Sequence, residues 1–297
     1  MRRSAEDADS GSVGSKWTRR SLLGLGAIGI LSGVVGLSQR GSPGTDSETT
    51  PDDPADQSSL VQEVEFDVQH LVVHLKDGHG LSRVNLIGPD GELFTRESVA
   101  TGERTVRLQI LDVDPLSGGY THYTPGDHEL VLIGEDIETE TVSINLEPSL
   151  EITDAQQFHR EKYDEDYGKL SVEISNTGTA PTWIYDISYQ DSPNYAANDD
   201  LTSSPGLPYF VNKDPDESII TPGESRRFVG INPPLVFPEN DQPTCDDRPV
   251  DMTVIVGTAS EGILSQEISA QVTGESIKTG PFGRYVCTEA EIELVQK

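Results

Sequence analysis

Basic residues are scarce in this chain of 297 residues: 21 Lys and Arg stand against 51 Asp and Glu, a net charge of −30. A surface so acidic excludes nucleic acid as a partner, because neutralising phosphates takes clustered Lys and Arg. It also excludes docking on an anionic lipid surface through charge alone. Cysteine is limited to Cys245 and Cys287, enough for one disulfide. No Asn-x-Ser/Thr triplet occurs, so no N-glycan is expected. There is no G-x-S-x-G elbow and no P-loop. All six histidines precede Leu170 and both cysteines follow it, which excludes the clustered Cys, His and Met ligands of a blue-copper site. Beyond residue 60 no stretch sustains a helical period.

What is present begins near the amino terminus. Thr18-Arg19-Arg20-Ser21-Leu22-Leu23 leads into an uncharged, Gly-rich apolar run ending at Ser38. The paired Arg19 and Arg20 before that run resemble a twin-arginine export signal. The resemblance covers six residues, and Leu22 and Gly24 depart from the commoner Phe and Lys. It implies the twin-arginine translocase as a transient partner and an extracellular or cell-surface address. Gly36-Leu37-Ser38 offers small residues for cleavage, and the run carries no Cys for a lipid anchor. If it is not cleaved, residues 21–38 are the chain's one membrane contact, slightly short of the ~20 apolar residues that span a bilayer core. Residues 1–38 are therefore read as signal or membrane-anchor helix. The fingerprint Gly24-Leu25-Gly26-Ala27-Ile28-Gly29 lies inside this segment with no preceding strand, which removes it as a dinucleotide site.

Residues 39–59 are acidic, Pro-broken and almost free of apolar side chains, a disordered linker by composition. From Gln39 onward the charge is −32, since five basic and three acidic residues before it contribute +2 to the total of −30. Six lysines remain there. This acidic, Lys-poor composition resembles proteins of extreme halophiles, where a Debye length of about 3 Å at molar salt screens self-repulsion.

From Leu60 the chain reads as all-β. Val64, Phe66 and Val68 alternate, then Leu71, Val73 and Leu75 in the opposite phase, which predicts a β-bulge near Gln69-His70. Pro89-Asp90-Gly91 and Pro125-Gly126-Asp127 are turns, and further strands cover Arg83–Ile87, Val106–Ile110, Glu129–Ile133 and Val142–Leu146. A second series runs through Leu170–Ile174, Trp183–Tyr189, Arg227–Ile231, Met252–Val256 and Ile268–Val272. The predicted domains are two β-sandwiches, 60–148 and 149–297, the second with a C-terminal tail. A strand ending in Asn176-Thr177-Gly178, an aromatic strand, and Thr221-Pro222-Gly223-Glu224 before another strand resemble extracellular immunoglobulin-like domains of the adhesion type. That resemblance covers roughly residues 150–275 on short motifs; the first unit resembles the class more loosely. It implies two immunoglobulin-like domains in tandem.

Candidate sites are few. Trp183, Tyr185, Ile187 and Tyr189 are expected on one strand face, with Trp183 in the core. Tyr185 and Tyr189, with Tyr195 and Tyr209 from the long 190–210 segment, are the candidate platform for a glycan or another cell-surface protein. No cofactor is expected, unless calcium: the acidic pairs lack EF-hand spacing, and Asp112 with Asp114, just after a strand, form the candidate site. His70, His74 and His79 are the metal candidates by residue type, but His70 and His74 on a strand stand about 13 Å apart. His128-Glu129 lacks the second His of a zinc-protease helix, since Leu132 stands in its place. Cys245 and Cys287 are expected to pair across the tail; two separate buried thiols are the other reading. The expected function is an exported, non-catalytic binding or structural module of the cell surface. The alternative is an extracellular hydrolase or accessory domain using carboxylates on long loops.

Overall fold

The computed structural model describes residues 58–297, apart from 115–118, 160–165, 198–200, 202–209, 212–213, 261, 280–282 and 296–297. The export motif at Arg19 and Arg20, the apolar run, most of the linker, and Tyr209 lie outside the described residues. Everything described belongs to one compact unit within residues 49–297. It is all-β.

The first half contains β1 (Val61–Asp67), β2 (His70–Leu75), β3 (Leu81–Ile87), β4 (Leu93–Ser98), β5 (Thr105–Gln109), β6 (Leu111–Asp114), β7 (Gly119–His122), β8 (Gly126–Gly134) and β9 (Glu140–Leu146). A sheet of order β1-β2-β5 faces one of order β4-β3-β8-β9, and β6-β7 form a separate ribbon. Alternate apolar residues from both sheets, among them Leu71, Val73, Leu86, Leu108, Leu130 and Ile144, close on one core.

The predicted bulge at Gln69-His70 does not exist. The phase change is a tight hairpin: Asp67 pairs with His70, Phe66 with Leu71 and Val64 with Val73. Val68 takes the left-handed backbone (φ 51°) that the reversal requires. Chain reversal accounts for the change of phase: Phe66 and Leu71, directly opposite each other, share one face.

The second half contains β10 (Leu150–Phe158), β11 (Lys169–Asn176), β12 (Thr182–Gln190), β13 (Ile219–Ile220), β14 (Ser225–Val229), β15 (Val236–Phe237), β16 (Arg248–Thr258), β17 (Gly262–Thr279) and β18 (Arg284–Leu294). Its sheets are β10-β11-β14 and β13-β12-β16-β17-β18-β15. The order repeats that of the first half. β10, β11 and β14 stand as β1, β2 and β5 do, and β13-β12-β16-β17 as β4-β3-β8-β9 do. The second half then adds β18 and β15 beyond the last shared strand. The C-terminal tail, poor in apolar side chains, is a full strand of 11 residues, laddered along β17 from Thr279↔Arg284 to Ile268↔Leu294.

Candidate functional site

The most heavily organised region is the joint between the two sandwiches. Trp183 is fully buried, and it belongs to the first core although its strand belongs to the second sandwich. Ala180, Tyr185 and Ile219 join it there. The cause is a bulge in β12. Ile184 pairs with Thr258 and Asp186 with the adjacent Gly257, so Tyr185 is the extra residue. Before the bulge Trp183 faces the first core; after it Ile187 and Tyr189 face the second, alongside Ile184. The expected single face of Trp183, Tyr185, Ile187 and Tyr189 is therefore split between two cores. Gly257 makes room for the bulged ring: a Cβ there would sit 2.3 Å from Tyr185.

The β6-β7 ribbon closes over Trp183. Tyr120 and His122 meet the indole edge-on, at 5.8 and 5.2 Å between ring centroids, and His122 stacks on Tyr123 at 4.5 Å. The buried Tyr123 hydroxyl donates to Pro181 O at 2.7 Å. His122 Nδ1 bonds the Tyr123 carbonyl, which leaves Nε2 to accept from Thr182 Oγ1 at 3.3 Å. Burial holds the His122 pKa down to about 4, against the opposing pull of that carbonyl.

A backbone clamp secures the connection Glu147-Pro148-Ser149. Thr179 N donates to Glu147 O at 2.7 Å and Thr177 N to Ser149 O at 2.8 Å. Asn176 accepts from Ser149 N and Gly178 N, and its Nδ2 donates to Ala180 O and Ile220 O. A Cβ on Gly178 would meet Glu147 O at 2.2 Å, so the close approach needs glycine. Gln69 reaches Asp216 across 147 residues, Nε2 to Oδ1 at 2.7 Å. Rings, clamp and polar ties together fix one sandwich on the other.

The residues singled out from sequence do not converge. Tyr185 and Tyr189 are 5% and 1% exposed, so their rings are core packing, and the platform expectation is corrected for both. Burial pushes the Tyr189 phenol far above its ordinary range. Tyr195, 88% exposed, stands alone on a short 3-10 turn. Asp112 and Asp114 lie on β6 opposite Thr121 and Gly119. Among the described residues no three His, Cys, Asp or Glu side chains gather as a metal site. The candidate histidines serve separate roles: His74 meets Glu65 at 2.9 Å, and buried His79 bridges Glu103 O and Leu81 N. Cys245 and Cys287 form a disulfide, Cα–Cα 5.6 Å.

Away from the joint an open trough of about 570 Å³ lies over Asp191, Met252, Glu267 and Val295, and the described residues form two smaller depressions. One, about 180 Å³, is lined by Pro89, Asp90, Glu92, Phe94, Thr124 and His128. His128 Nδ1 bonds Gly126 O at 3.0 Å, while Nε2 is buried without a hydrogen-bond partner. The other, about 440 Å³, is an open groove over Phe158, Ser171, Val211 and Arg227, whose guanidinium is already held by Asp154 and Glu173. Among the described residues no helix is long and apolar enough to cross a membrane. The sequence signal for the joint was the Asn176-Thr177-Gly178 motif, legible as a turn; its partner at Glu147–Ser149 carried no signal beyond Pro148. No protein-family model matches the chain, and no curated protein matches it.

Proposed function

We propose that this chain is an exported, non-catalytic structural or binding module of the cell surface, built as two immunoglobulin-like sandwiches held in one fixed orientation. The observation that carries the reading is the joint: a buried Trp183 shared across the halves, and a linker bonded on both sides by residues 176–179. Ordinary tandem domains move about their linker unless the interface is apolar and well packed. A spacer that must project a surface at a set distance needs this rigidity. The repeated strand order supports the immunoglobulin-like assignment, because three strands facing four or more with crossovers between the sheets is that class's architecture. The twin-arginine resemblance at Arg19 and Arg20 supports export.

The test is surface labelling of intact cells with a membrane-impermeant reagent, for the wild type and for the Arg19→Lys, Arg20→Lys pair. Labelling of the wild type and loss of labelling in the pair support the reading. A wild type found only in the cytoplasm overturns it. Hydrolysis of surface polysaccharide by the purified protein would replace the non-catalytic part with the carboxylate-hydrolase alternative.

A further inference from the structure

Basic side chains are few, 21 against 51 acidic ones. Seven of the eleven described Lys and Arg side chains meet a carboxylate. Two more bond other oxygens: Lys76 Nζ donates to Ser58 O, and Arg284 reaches Asn194 Oδ1. The guanidinium groups of Arg83 on β3 and Arg96 on β4 are the remaining two, and among the described residues they have neither an ion pair nor a hydrogen bond.

These two are neighbours on one face. β3 turns Val84 and Leu86 into the core, so Arg83, Asn85 and Ile87 face outward. Arg96 stands directly opposite Asn85, and residues directly opposite share a face. Arg83 is therefore the diagonal neighbour of Arg96, a relation that sets two strand residues ~7–8 Å apart. On the other side of β3, Val131 stands opposite Asn85 and Ile133 opposite Arg83, and Thr141 follows Val131 on β9. Val131 and Ile133 are half-buried although they point away from the core, and both arginines are exposed. The nearest carboxylate on the outer face of these strands, Glu129, stands opposite Ile87, and no ion pair joins it to either guanidinium. Asn85 Oδ1 is buried without a hydrogen-bond partner, so the amide beside the arginines accepts from neither.

Like charges on neighbouring strand positions repel. Together the two guanidiniums hold roughly ten N–H donors, in planar forks that match carboxylates bidentately. Arginine beside half-buried apolar side chains, with Lys, Asp and Glu absent, is the composition of the centre of a protein interface.

We propose, on the basis of the binding-module reading above, that the outer face of the β4-β3-β8-β9 sheet docks another protein, whose carboxylates are held by Arg83 and Arg96 and whose apolar atoms lie on Val131 and Ile133. A second copy presenting this same face about a two-fold axis would set arginine against arginine, so the partner offers a different, acidic surface. The net charge of −30 repels such a partner in dilute buffer. At molar salt a Debye length of about 3 Å removes that repulsion and leaves the contact pairs. Four strands ~4.8 Å apart and about seven residues long make a face of roughly 450 Å², below the ~800 Å² per partner of a stable complex, so the contact is weak and reversible.

The experiment is NMR of the full chain with isotope-labelled arginine side chains, in mild detergent at molar KCl, titrated with a short oligoglutamate peptide at millimolar concentration. The Nε–H signals of Arg83 and Arg96 should shift and those of the carboxylate-paired arginines should stay. An oligoglutamine peptide of the same length should shift none. Arg83→Gln and Arg96→Gln should each weaken peptide binding about tenfold, the loss of one charge-assisted hydrogen bond. Both variants should keep the melting temperature of the wild type, because neither side chain has a partner within the chain. Silence at both signals, equal shifts at the paired arginines, or a lower melting temperature in the variants overturns the proposal. Tighter binding of oligogalacturonate than of the peptide overturns the protein partner in favour of an acidic glycan. None of these outcomes touches export, which surface labelling reads separately.

Discussion

The side-chain amide of Gln157 on β10 bonds the backbone of β18 as a neighbouring strand would: Nε2 donates to Thr288 O at 3.1 Å, and Oε1 accepts from Ala290 N at 2.7 Å. One residue thus seals the open edge of the long sheet against the opposite sheet. β15 covers that edge only at Val236 and Phe237.

Replacing Gln157 with Leu leaves a part-buried N–H and C=O without partners, which costs about 1–3 kcal/mol. Gln157→Glu keeps the acceptor for Ala290 N and loses the donor to Thr288 O, so it should fall between. Denaturant unfolding checks the order, and amide exchange at Ala290 should accelerate most in the Leu variant. Unchanged exchange there would remove the edge-sealing role.

The disulfide joins the loop ahead of β16 to β18 across 42 residues. The chain-entropy model gives about 4 kcal/mol for such a loop. The double substitution Cys245→Ser, Cys287→Ser should lower stability by roughly 2–4 kcal/mol while β18 stays laddered along β17, because its backbone pairs do not pass through the sulfurs. Thermal unfolding with and without reductant is the measurement. Loss of strand signal at room temperature would show that the bridge, rather than the ladder, holds the tail.

His122 makes the joint acid-sensitive. In the unfolded chain the ring titrates near 6.5, and in the joint near 4 because it is buried. The folded state therefore binds fewer protons between these values. The stability this contributes is complete above about pH 6.5 and declines as pH falls toward 4, by roughly 3 kcal/mol at most. Comparing the wild type with His122→Gln over that window isolates the effect. Parallel pH profiles would exclude His122 as its source.

The charge predicts a salt requirement. With −30 on the chain, self-repulsion opposes the compact state in dilute buffer and is screened at molar salt. Among the described residues the ion pairs are few, and exposed ones such as Arg107–Asp67 count for little. The melting temperature should climb steeply from low to molar KCl. A level profile would count against a protein made for high salt.

The sequence by itself determined the strands with strong apolar alternation and where several turns fall, while β4, β6, β7, β10, β13, β15 and β18 carried too little alternation to read. Alternation of apolar residues is local, and Pro89-Asp90-Gly91 needs only its own backbone, with Gly91 at φ 79°. It also reduced the sulfur chemistry to one candidate pair. What only the tertiary structure decided is which face each strand presents and to which core. Val68 could continue a strand through a bulge or reverse it, and the partners across β2 select the reversal. Tyr185 reads as one more member of an aromatic face until Gly257 opposite it admits the extra residue that turns Trp183 toward the first sandwich. The tail has few apolar side chains to bury, yet it becomes β18 because a neighbouring strand supplies a backbone ladder, which side-chain pattern does not record. Each of these outcomes rests on contacts between residues far apart in the chain. A one-residue change in phase moves every following side chain to the other face, so the distant partner decides what local periodicity leaves undetermined.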